Sequence, residues 1–434
     1  MAKMIDRPVY LKKLIDRKQN GLVKIITGVR RCGKSVLLFD LYFRHLVSEG
    51  VLDRQIVRIQ LDNSEFAALR NPLKLSEYIK SRITDDQDYF IFIDEIQLVK
   101  KIRNKDVEDD YITFLDVLNG FVSRRNLDIY VTGSNSKMLS KDVLTEFRGR
   151  GDEVRVYPLS FREFCSARED SKENALKDYM LYGGMPFILS RPSPESKISY
   201  LQNLFEETYI KDIVERNSIR NQGLLNSLTD EICSATGSLT SPTKLANTIN
   251  SRYHSGKDEK VNNNTVASYL DHLENAFLFK EAKRYDIRGK QFFNSNSKFY
   301  CVDVGLRNAR LNMRQNEETH IMENVIFNDL LQRGYSVDVG VVEKFSKGPD
   351  GKSTRAVKEI DFVVNHGNAQ CYIQSAFRMD TPEKENAELS PFNIVGDSFK
   401  KIVVTRDELS PWYDDKGVYH IGLCDFLLKE DILG

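Results

Sequence analysis

The chain has 434 residues, of which 41% are hydrophobic and 29% charged, and its 63 Lys and Arg balance 63 Asp and Glu. This length favours about three folded domains, and a net charge of zero means that a nucleic-acid role must depend on local basic patches. The six cysteines show no zinc-like spacing, and no apolar run reaches the roughly 18 residues that span a bilayer. We therefore expect a cytoplasmic protein without a membrane partner.

Short apolar segments alternate with helical patterns along residues 1–165. The segments are partly β-branched, and they read LVKIIT, QIVRIQL, YFIFID and LDIYVTG. Strands that alternate with helices form parallel sheets, because each crossover helix covers one face of the sheet. The pattern therefore predicts an α/β domain with a parallel sheet.

A glycine-rich loop follows the first apolar segment. Residues 28–35, GVRRCGKS, match GxxxxGK[ST] between a strand and a helix, the context that a phosphate-binding P-loop (Walker A motif) requires. Glycines allow the turn in which backbone amides point at phosphate oxygens, and the helix N-terminus adds its dipole. We expect Lys34 to reach the terminal phosphates of ATP and Ser35 to bind Mg²⁺. The candidate ATP-binding residues of the loop are Gly28, Arg31, Cys32, Gly33, Lys34, Ser35 and Val36.

Two acids follow the third apolar segment. In YFIFIDEIQ, Asp94 and Glu95 come at the carboxyl end of a strand, where open α/β sheets bind their ligands. We expect Asp94 to hold Mg²⁺ through water, and Glu95 to orient and deprotonate the attacking water. A carboxylate directly after the aspartate favours ATP hydrolysis over nucleotide binding alone, and it argues against a small-molecule kinase.

Polar and basic residues follow the fourth apolar segment. Ser134 or Asn135 can sense the γ-phosphate of ATP, although turn formation and helix capping explain the same residues equally well. Arg150, and less clearly Arg148, has the position of an arginine finger, which stabilises transition-state charge in phosphoryl transfer. A surface arginine is the alternative. The sequence leaves open whether Arg150 acts within its own chain or, as we expect, on the nucleotide of a neighbouring subunit.

Further segments occur in order along nearly the whole chain. They are VTGSNSKML, YPLSFREF, LYGGMP, YIKDIVER, NNNTVASYLDHLENAFLF, FYCVDVGLRNA and EIDFVV. Together with GVRRCGKS and IFIDEIQ, they resemble the segments of bacterial and archaeal AAA-type ATP-binding proteins that carry a C-terminal module of unknown function. The resemblance implies an ATPase, and it implies the sheet order of additional-strand, catalytic-glutamate ATPases. It says little about the physiological role.

A helical stretch, residues 166–224, leads to a candidate winged helix-turn-helix at residues 225–295. We expect Asn264 to cap its second helix. Residues 280–298 then carry six basic and two acidic side chains in a hairpin-like wing. A basic wing beside a helix-turn-helix favours duplex DNA binding through phosphates, and a purely structural packing module is the alternative.

The last third, residues 296–434, has the element order of a restriction-endonuclease-like fold, as in the family that the chain resembles. Active members of that fold use a helix acid, a strand aspartate and an acid-x-lysine tripeptide to hold a metal and activate water. Glu323 and Asp361 occupy the first two positions, but the tripeptide is replaced by Gln-Ser-Ala from Gln374 onward. We therefore expect a degenerate nuclease site of Glu323, Asp361 and Gln374, with no cation nearby and no DNA cleavage.

These observations predict an ATP-binding, Mg²⁺-dependent ATPase whose turnover switches the attached region. Double-stranded DNA and further copies of the chain are candidate partners. The expected α/β multidomain architecture is a P-loop AAA-type ATPase domain (1–165), a helical linker (166–224), a winged-helix domain (225–295) and a restriction-endonuclease-like domain (296–434).

Two alternatives remain open at the level of the sequence. The first is an ATP-regulated nuclease, in which Lys358 or Lys352 replaces the missing lysine. The second is a non-enzymatic interaction protein that nucleotide merely stabilises, and Glu95 argues against it.

Overall fold

The chain divides into two compact units. One comprises Met1–Pro158 with Asn275–Phe277, and the other comprises Leu159–Glu274 with Leu278–Gly434. The structure, a computed structural model, describes residues 4–133, 149–253, 260–293, 296–314, 317–347 and 353–432. The finer division at residues 166, 225 and 296 stays a prediction.

The first unit is an α/β domain. Its strands are β1 (Val23–Thr27), β2 (Ile56–Gln60), β3 (Tyr89–Asp94), β4 (Ile102–Arg103), β5 (Tyr111–Ile112), β6 (Leu127–Gly133) and β7 (Gly151–Arg155). Its helices are α1 (Pro8–Ile15), α2 (Lys34–Val36), α3 (Phe43–Ser48), α4 (Pro72–Arg82) and α5 (Phe114–Val122), and a π-helical stretch, Leu37–Tyr42, joins α2 to α3. Short 3-10 turns cover Asp53–Gln55, Ser64–Arg70 and Ile96–Leu98.

Five of these strands form one parallel sheet in the order β2-β3-β6-β1-β7. Strand β6 therefore lies between the phosphate-loop strand β1 and the acid strand β3, which is the additional-strand order that the resemblance implies. Strands β1 and β3 are buried along their whole length, as expected for a parallel sheet covered on both faces. The carboxyl ends of β1, β6 and β3 meet at one edge of the sheet.

The second unit contains most of the helices. They are α6 (Phe161–Ser166), α7 (Lys172–Tyr182), α8 (Pro194–Asn203), α9 (Lys211–Asn217), α10 (Gln222–Ser234), α11 (Pro242–Tyr253), α12 (Asn263–Asn275), α13 (Val304–Arg310), α14 (Glu318–Gln332), α15 (Pro382–Leu389), α16 (Phe392–Val395) and α17 (Leu423–Leu428). A 3-10 turn covers Pro186–Ser190, and a π-helical stretch, Leu204–Ile210, joins α8 to α9. Across both units, none of the helices within the described ranges is long and apolar enough to cross a membrane.

The second unit also contains an eight-stranded mixed sheet and a separate two-stranded sheet. Its strands are β8 (Phe279–Ala282), β9 (Arg284–Asp286), β10 (Gln291–Phe292), β11 (Lys298–Cys301), β12 (Ser336–Lys347), β13 (Ser353–His366), β14 (Ala369–Ala376), β15 (Lys400–Thr405), β16 (Trp412–Tyr413) and β17 (Val418–Gly422). Eight of them pair in the order β10-β9-β12-β13-β14-β15-β17-β16, while β11 pairs with β8 alone. The succession of helix α14, strands β12 to β14, helix α15 and strand β15 is the one that the sequence predicts.

The candidate wing is built into this sheet. Strands β9 and β10 form an antiparallel hairpin, but β9 also pairs in parallel with β12, so the hairpin extends the eight-stranded sheet. The capping residue of α12 is Asn262, two residues before the expected Asn264. The Asn262 side chain accepts a hydrogen bond from the Asn264 N–H at 2.9 Å. The two helices of the candidate helix-turn-helix, α11 and α12, are present.

Candidate functional site

The turn after β1 has the backbone geometry of a phosphate loop. Gly28 and Gly33 have φ values of 139° and 102°, which side-chain-bearing residues rarely adopt. A Cβ at Gly28 would also collide with the Val156 carbonyl oxygen. Arg31 lies in the left-handed region with φ 63°. Three loop residues thus leave the ordinary backbone regions before helix α2 begins at Lys34.

The loop is held from behind by contacts that the motif does not indicate. Arg7 is buried and donates to the Cys32 carbonyl and to the Tyr157 carbonyl, both at 2.9 Å. The Cys32 thiol is buried and donates to the Val156 carbonyl at 3.4 Å, whereas the Val36 side chain is exposed. The side chain of Cys32 therefore supports the loop. If Cys32 and Val36 bind ATP, they do so through their backbone amides.

Lys34 is buried within the loop that it belongs to. Its ammonium donates to the carbonyls of Gly28 and Val29, at 3.0 and 3.1 Å. A lysine with four flexible side-chain carbons can exchange such neutral acceptors for anionic phosphate oxygens, and charged acceptors give the stronger hydrogen bonds.

Asp94 joins the loop to the neighbouring strands. Its buried carboxylate accepts a hydrogen bond from the hydroxyl of Thr132, at the end of β6. Burial raises the pKa of Asp94, whereas the hydroxyls of Thr132 and Ser35 lower it. Ser35 and Asp94, the two expected Mg²⁺ ligands, therefore lie at the same place in the site.

Glu95 has an unusual backbone conformation that two neighbours support. Its φ is 52°, in the left-handed region, and its N–H donates to the Thr132 hydroxyl at 3.1 Å. The Gln97 side chain donates a short hydrogen bond to the Glu95 carboxylate. Thr132 therefore positions both acids, and Gln97 orients the second. Neither role was predicted, although Gln97 stands in the IFIDEIQ segment and Thr132 ends a strand.

Arg150 lies at the opposite end of β1 from the phosphate loop. Its carbonyl accepts the Val23 N–H at 2.8 Å, and Gly151 pairs with Val23. The loop begins after Thr27, so the length of β1, about 13 Å at 3.3 Å per residue, separates the two. The Arg150 side chain is exposed. This placement argues against contact with the nucleotide of the same chain. The sensor candidates Ser134 and Asn135, together with Arg148, lie outside the described residues.

In the second unit, three acids surround one lysine, and we call Lys298, Glu323, Glu359 and Asp361 the Lys298 cluster. The Lys298 ammonium lies 2.8 Å from a Glu323 oxygen, 2.8 Å from a Glu359 oxygen and 3.3 Å from an Asp361 oxygen. The Tyr300 hydroxyl donates to the same Glu323 oxygen at 2.6 Å. The lysine side chain is 5% exposed, and the Glu323 and Asp361 side chains are also largely buried, whereas that of Glu359 is 30% exposed.

The expectation that no cation lies near Glu323 and Asp361 is wrong. It considered only strand β14, where Ala376 replaces the usual lysine, and the lysine comes instead from β11, on the other side of the acids in the sequence. Lys358, one proposed substitute, is an exposed residue, and Lys352 lies outside the described residues. Lys298 is one of the basic side chains that the sequence assigns to the wing. Lys298 and Tyr300 lie two residues apart on one strand and share one of its faces, with Phe299 on the other, and the strand is buried throughout.

Gln374 connects Asp361 to a further acid. Its side-chain carbonyl accepts the Asp361 N–H at 3.4 Å, and its amide donates to the Glu388 carboxylate at 2.8 Å. The Asp361 oxygen that does not face Lys298 accepts a hydrogen bond from the Ser375 N–H at 2.9 Å. The structure therefore brings together all three residues of the expected degenerate site, Glu323, Asp361 and Gln374, and adds Glu388 on α15.

Burial and mutual repulsion dominate the electrostatics of these acids. Burial, then the Asp361 charge, raises the pKa of Glu323 to about 7 against the opposing effect of Lys298. Burial also raises the pKa of Glu388, while its hydrogen bond from Gln374 acts against this. Burial lowers the pKa of Lys298, but Glu323, Asp361 and Glu359 outweigh it, so that this pKa is raised overall. Lys298 therefore stays charged.

Two family models match parts of the chain. Residues 20–165 match a family model described as an AAA domain, and residues 173–317 match a domain of unknown function. An uncharacterised protein of Haemophilus influenzae is 33% identical over 434 residues, covering 98% of this chain and 99% of the relative. The chain belongs to this family of AAA-domain proteins. An uncharacterised protein of Methanocaldococcus jannaschii is 27% identical over 400 residues, covering 88% of this chain and 80% of that protein.

Solved structures give more distant similarities. The Orc1 protein of Aeropyrum pernix in complex with DNA is 12% identical, with a TM-score of 0.33 over 72% of this chain and 94% of that chain. AMPPCP-bound DnaA of Aquifex aeolicus is 14% identical, with a TM-score of 0.29 over 61% and 85%. TM-scores of this size add nothing to the assignment, which rests on the sequence matches. The matched AAA domain contains the phosphate loop, Asp94 and Glu95.

Proposed function

We propose that the AAA domain binds ATP with Mg²⁺ and hydrolyses it. The observation that carries the proposal is the meeting of the phosphate loop with a buried acid at one sheet edge. Ser35 lies close enough to Asp94 to lower the pKa of that carboxyl, and Lys34, the residue before Ser35, begins helix α2. An anion-binding loop and a magnesium-type ligand pair at the same place fit a nucleoside triphosphate.

Ser35 and Asp94 fit Mg²⁺, because a hydroxyl and a carboxylate are the hard oxygen ligands that it prefers. When bound, Mg²⁺ would offset the charge of the β- and γ-phosphates. Lys34 would leave the carbonyls of Gly28 and Val29 and donate to phosphate oxygens instead. Each exchange replaces a hydrogen bond to a neutral acceptor with a hydrogen bond to an anionic acceptor, which attracts the ammonium more strongly.

Glu95 is the general base of the proposed reaction. It accepts a proton from the water that attacks the γ-phosphorus, and the bond from that phosphorus to the bridging oxygen of ADP breaks. The hydrogen bond from Gln97 orients the Glu95 carboxylate. Thr132 fixes the backbone of Glu95. A protein that uses nucleotide only as a structural support has no need for this second, separately oriented acid.

The attached region is proposed to respond to the nucleotide while it engages duplex DNA. Three basic residues of the candidate wing support DNA binding, but two of them already contact other parts of the protein. Lys283 is exposed, but Arg284 lies over the Phe293 ring at 5.1 Å, and Arg288 donates to the Glu343 carbonyl at 3.3 Å. Neutralising all three should weaken DNA binding and flatten its salt dependence by fewer than three phosphate contacts.

The ATPase proposal is tested by phosphate release from ATP, with and without duplex DNA and with and without Mg²⁺. The unmodified chain should hydrolyse ATP only with Mg²⁺, and Asp94→Asn should abolish this while the protein stays folded. Turnover equal to that of Asp94→Asn, with ATP still bound, would instead support the nucleotide-stabilised interaction protein. A rate that duplex DNA leaves unchanged would remove DNA from the proposed switch.

Arg150 is proposed to act on the nucleotide of a neighbouring subunit, because its own phosphate loop lies at the other end of β1. Arg150→Ala and Glu95→Gln should each be inactive alone and regain hydrolysis when mixed, since a mixed oligomer contains sites with an intact Glu95 and an intact neighbouring Arg150. Arg125→Ala, another exposed arginine of the first unit, serves as the control. Mixed oligomers without any rescue would argue against this role.

A further inference from the structure

The acids of the Lys298 cluster converge on a single point. One oxygen each from Glu323, Glu359 and Asp361 lies within 2.8–3.3 Å of the Lys298 nitrogen. The ammonium donates hydrogen bonds to Glu323 and Asp361 and forms an ion pair with Glu359. Three anionic groups thus surround a cation that is a side chain of the chain itself.

A divalent metal ion does not fit beside this ammonium. Mg²⁺ and Ca²⁺ need oxygen ligands at about 2.0–2.6 Å, whereas the cluster holds its oxygens farther out, at ammonium distances. Within the part of the chain that the structure describes, no group of three or more His, Cys, Asp or Glu side chains has a geometry that holds a metal ion. The acids that a restriction-endonuclease-like fold would offer to a metal are already in use.

The backbone that carries Lys298 is tied in place. Strand β11 pairs with β8, with Lys298 opposite Ala282. Helix α14, which carries Glu323, holds the end of β11 through Asn324, whose amide accepts from the Cys301 N–H at 3.1 Å and donates to the Cys301 carbonyl at 2.8 Å. The ammonium therefore cannot leave the acids by a movement of the strand without breaking these bonds.

We propose that Lys298 is the resident cation of this cluster and takes the place of a divalent metal ion. The remaining acceptor capacity is met by hydrogen bonds, from the Tyr300 hydroxyl to Glu323 and from the Ser375 N–H to Asp361. The C-terminal domain is accordingly a metal-independent module, and its acids become a divalent-cation site only when the ammonium is removed. This inference does not depend on the proposed ATPase function.

The test uses the full chain with Asp94→Asn, which removes metal binding at the phosphate loop, and Mn²⁺ alone as the probe. The protein that retains Lys298 should show no Mn²⁺ binding that Asp361→Asn removes. Lys298→Met, which keeps the length of the side chain but not its charge, should bind one Mn²⁺ per chain at least about tenfold more tightly. That added binding should disappear with Asp361→Asn.

Two matched variants control for charge and for nonspecific loss of an acid. Lys298→Arg keeps the cation and should gain no Mn²⁺ site. Asp338→Asn, which removes a partly buried acid of the same unit outside the cluster, should leave the site of Lys298→Met intact.

Two outcomes overturn the inference. One is Mn²⁺ binding that depends on Asp361 while Lys298 is present, and the other is a folded Lys298→Met protein without an Mn²⁺ site. The first of these needs no change at Lys298, so it decides the matter even where Lys298→Met does not fold.

Discussion

The AAA domain and the second unit each bury a lysine, but the two lysines have different partners. Lys34 donates to two neutral carbonyls of its own loop, whereas Lys298 forms ion pairs with three carboxylates. A phosphate can displace a carbonyl from an ammonium, but it competes poorly with three anions that already surround one. The same side chain is thus free to bind a ligand in the first domain and acts as a fixed counter-ion in the second.

The largest expected effect is on ATP hydrolysis and comes from removing the charge of Glu95. Glu95→Gln should lower the turnover number for ATP by about 10²–10⁴, because the attacking water loses its base. ATP affinity, measured by calorimetry on the same samples, should stay close to that of the unmodified chain. Glu77→Gln, an exposed glutamate on α4, should change neither quantity. A normal turnover number in Glu95→Gln would remove Glu95 from the mechanism.

Loss of the fixed counter-ion should be the largest effect on stability. Lys298→Met leaves three acids without their cation, and removing one partner of a buried ion pair costs about 3–5 kcal/mol. The chain has one tryptophan, Trp412, which lies in the second unit, so its fluorescence in urea reports the unfolding of the unit that contains Lys298. Lys283→Met, at an exposed position, is the control and should change little. Equal stabilities of the two variants would show that Lys298 is not an essential counter-ion.

Removing the ligand-binding lysine should affect ATP and leave the C-terminal domain unchanged. Lys34→Ala should weaken ATP binding by about 1.5–3 kcal/mol, roughly tenfold to a hundredfold, because a charged hydrogen bond to the terminal phosphates is lost. Calorimetry gives the affinity, and the Trp412 transition in urea should not move. Unchanged ATP affinity would refute the role given to Lys34.

A smaller effect is expected in the pH dependence of the free energy of unfolding of the second unit. The pKa of Glu323 in the folded chain is about 7, against an ordinary 4.5, so the folded state binds more protons than the unfolded state between these pH values. The free energy of unfolding therefore falls as the pH rises from 5 to 7, and Glu323→Gln should remove about 2 kcal/mol of that fall. Parallel Trp412 titrations of both proteins measure the difference, and identical slopes would exclude Glu323 as its source.

The AAA site could be predicted from sequence because its parts are local. The phosphate loop occupies eight successive residues, and the acid pair follows an uninterrupted buried strand, so strand order alone brings them to one edge. The roles of Thr132 and Gln97 were not predicted, because they depend on which strands are neighbours and on the left-handed backbone of Glu95. A sequence pattern shows neither the strand order nor the backbone conformation.

The C-terminal site was predicted only in part, because its cation is not local. Glu323, Asp361 and Gln374 were found from the element order of the fold, which fixes the helix and strands that carry them. Lys298 lies on a strand that pairs with β8 and not with β13 or β14, and its charge made it resemble a solvent-exposed wing residue. Burial by three-dimensional packing reversed that interpretation.

The most direct test of the contrast between the two lysines is the number of Mn²⁺ ions that the unmodified chain binds with a non-hydrolysable ATP analogue. We expect one ion per chain, which Asp94→Asn removes and Asp361→Asn leaves in place. An ion that persists in Asp94→Asn and disappears in Asp361→Asn would contradict this expectation.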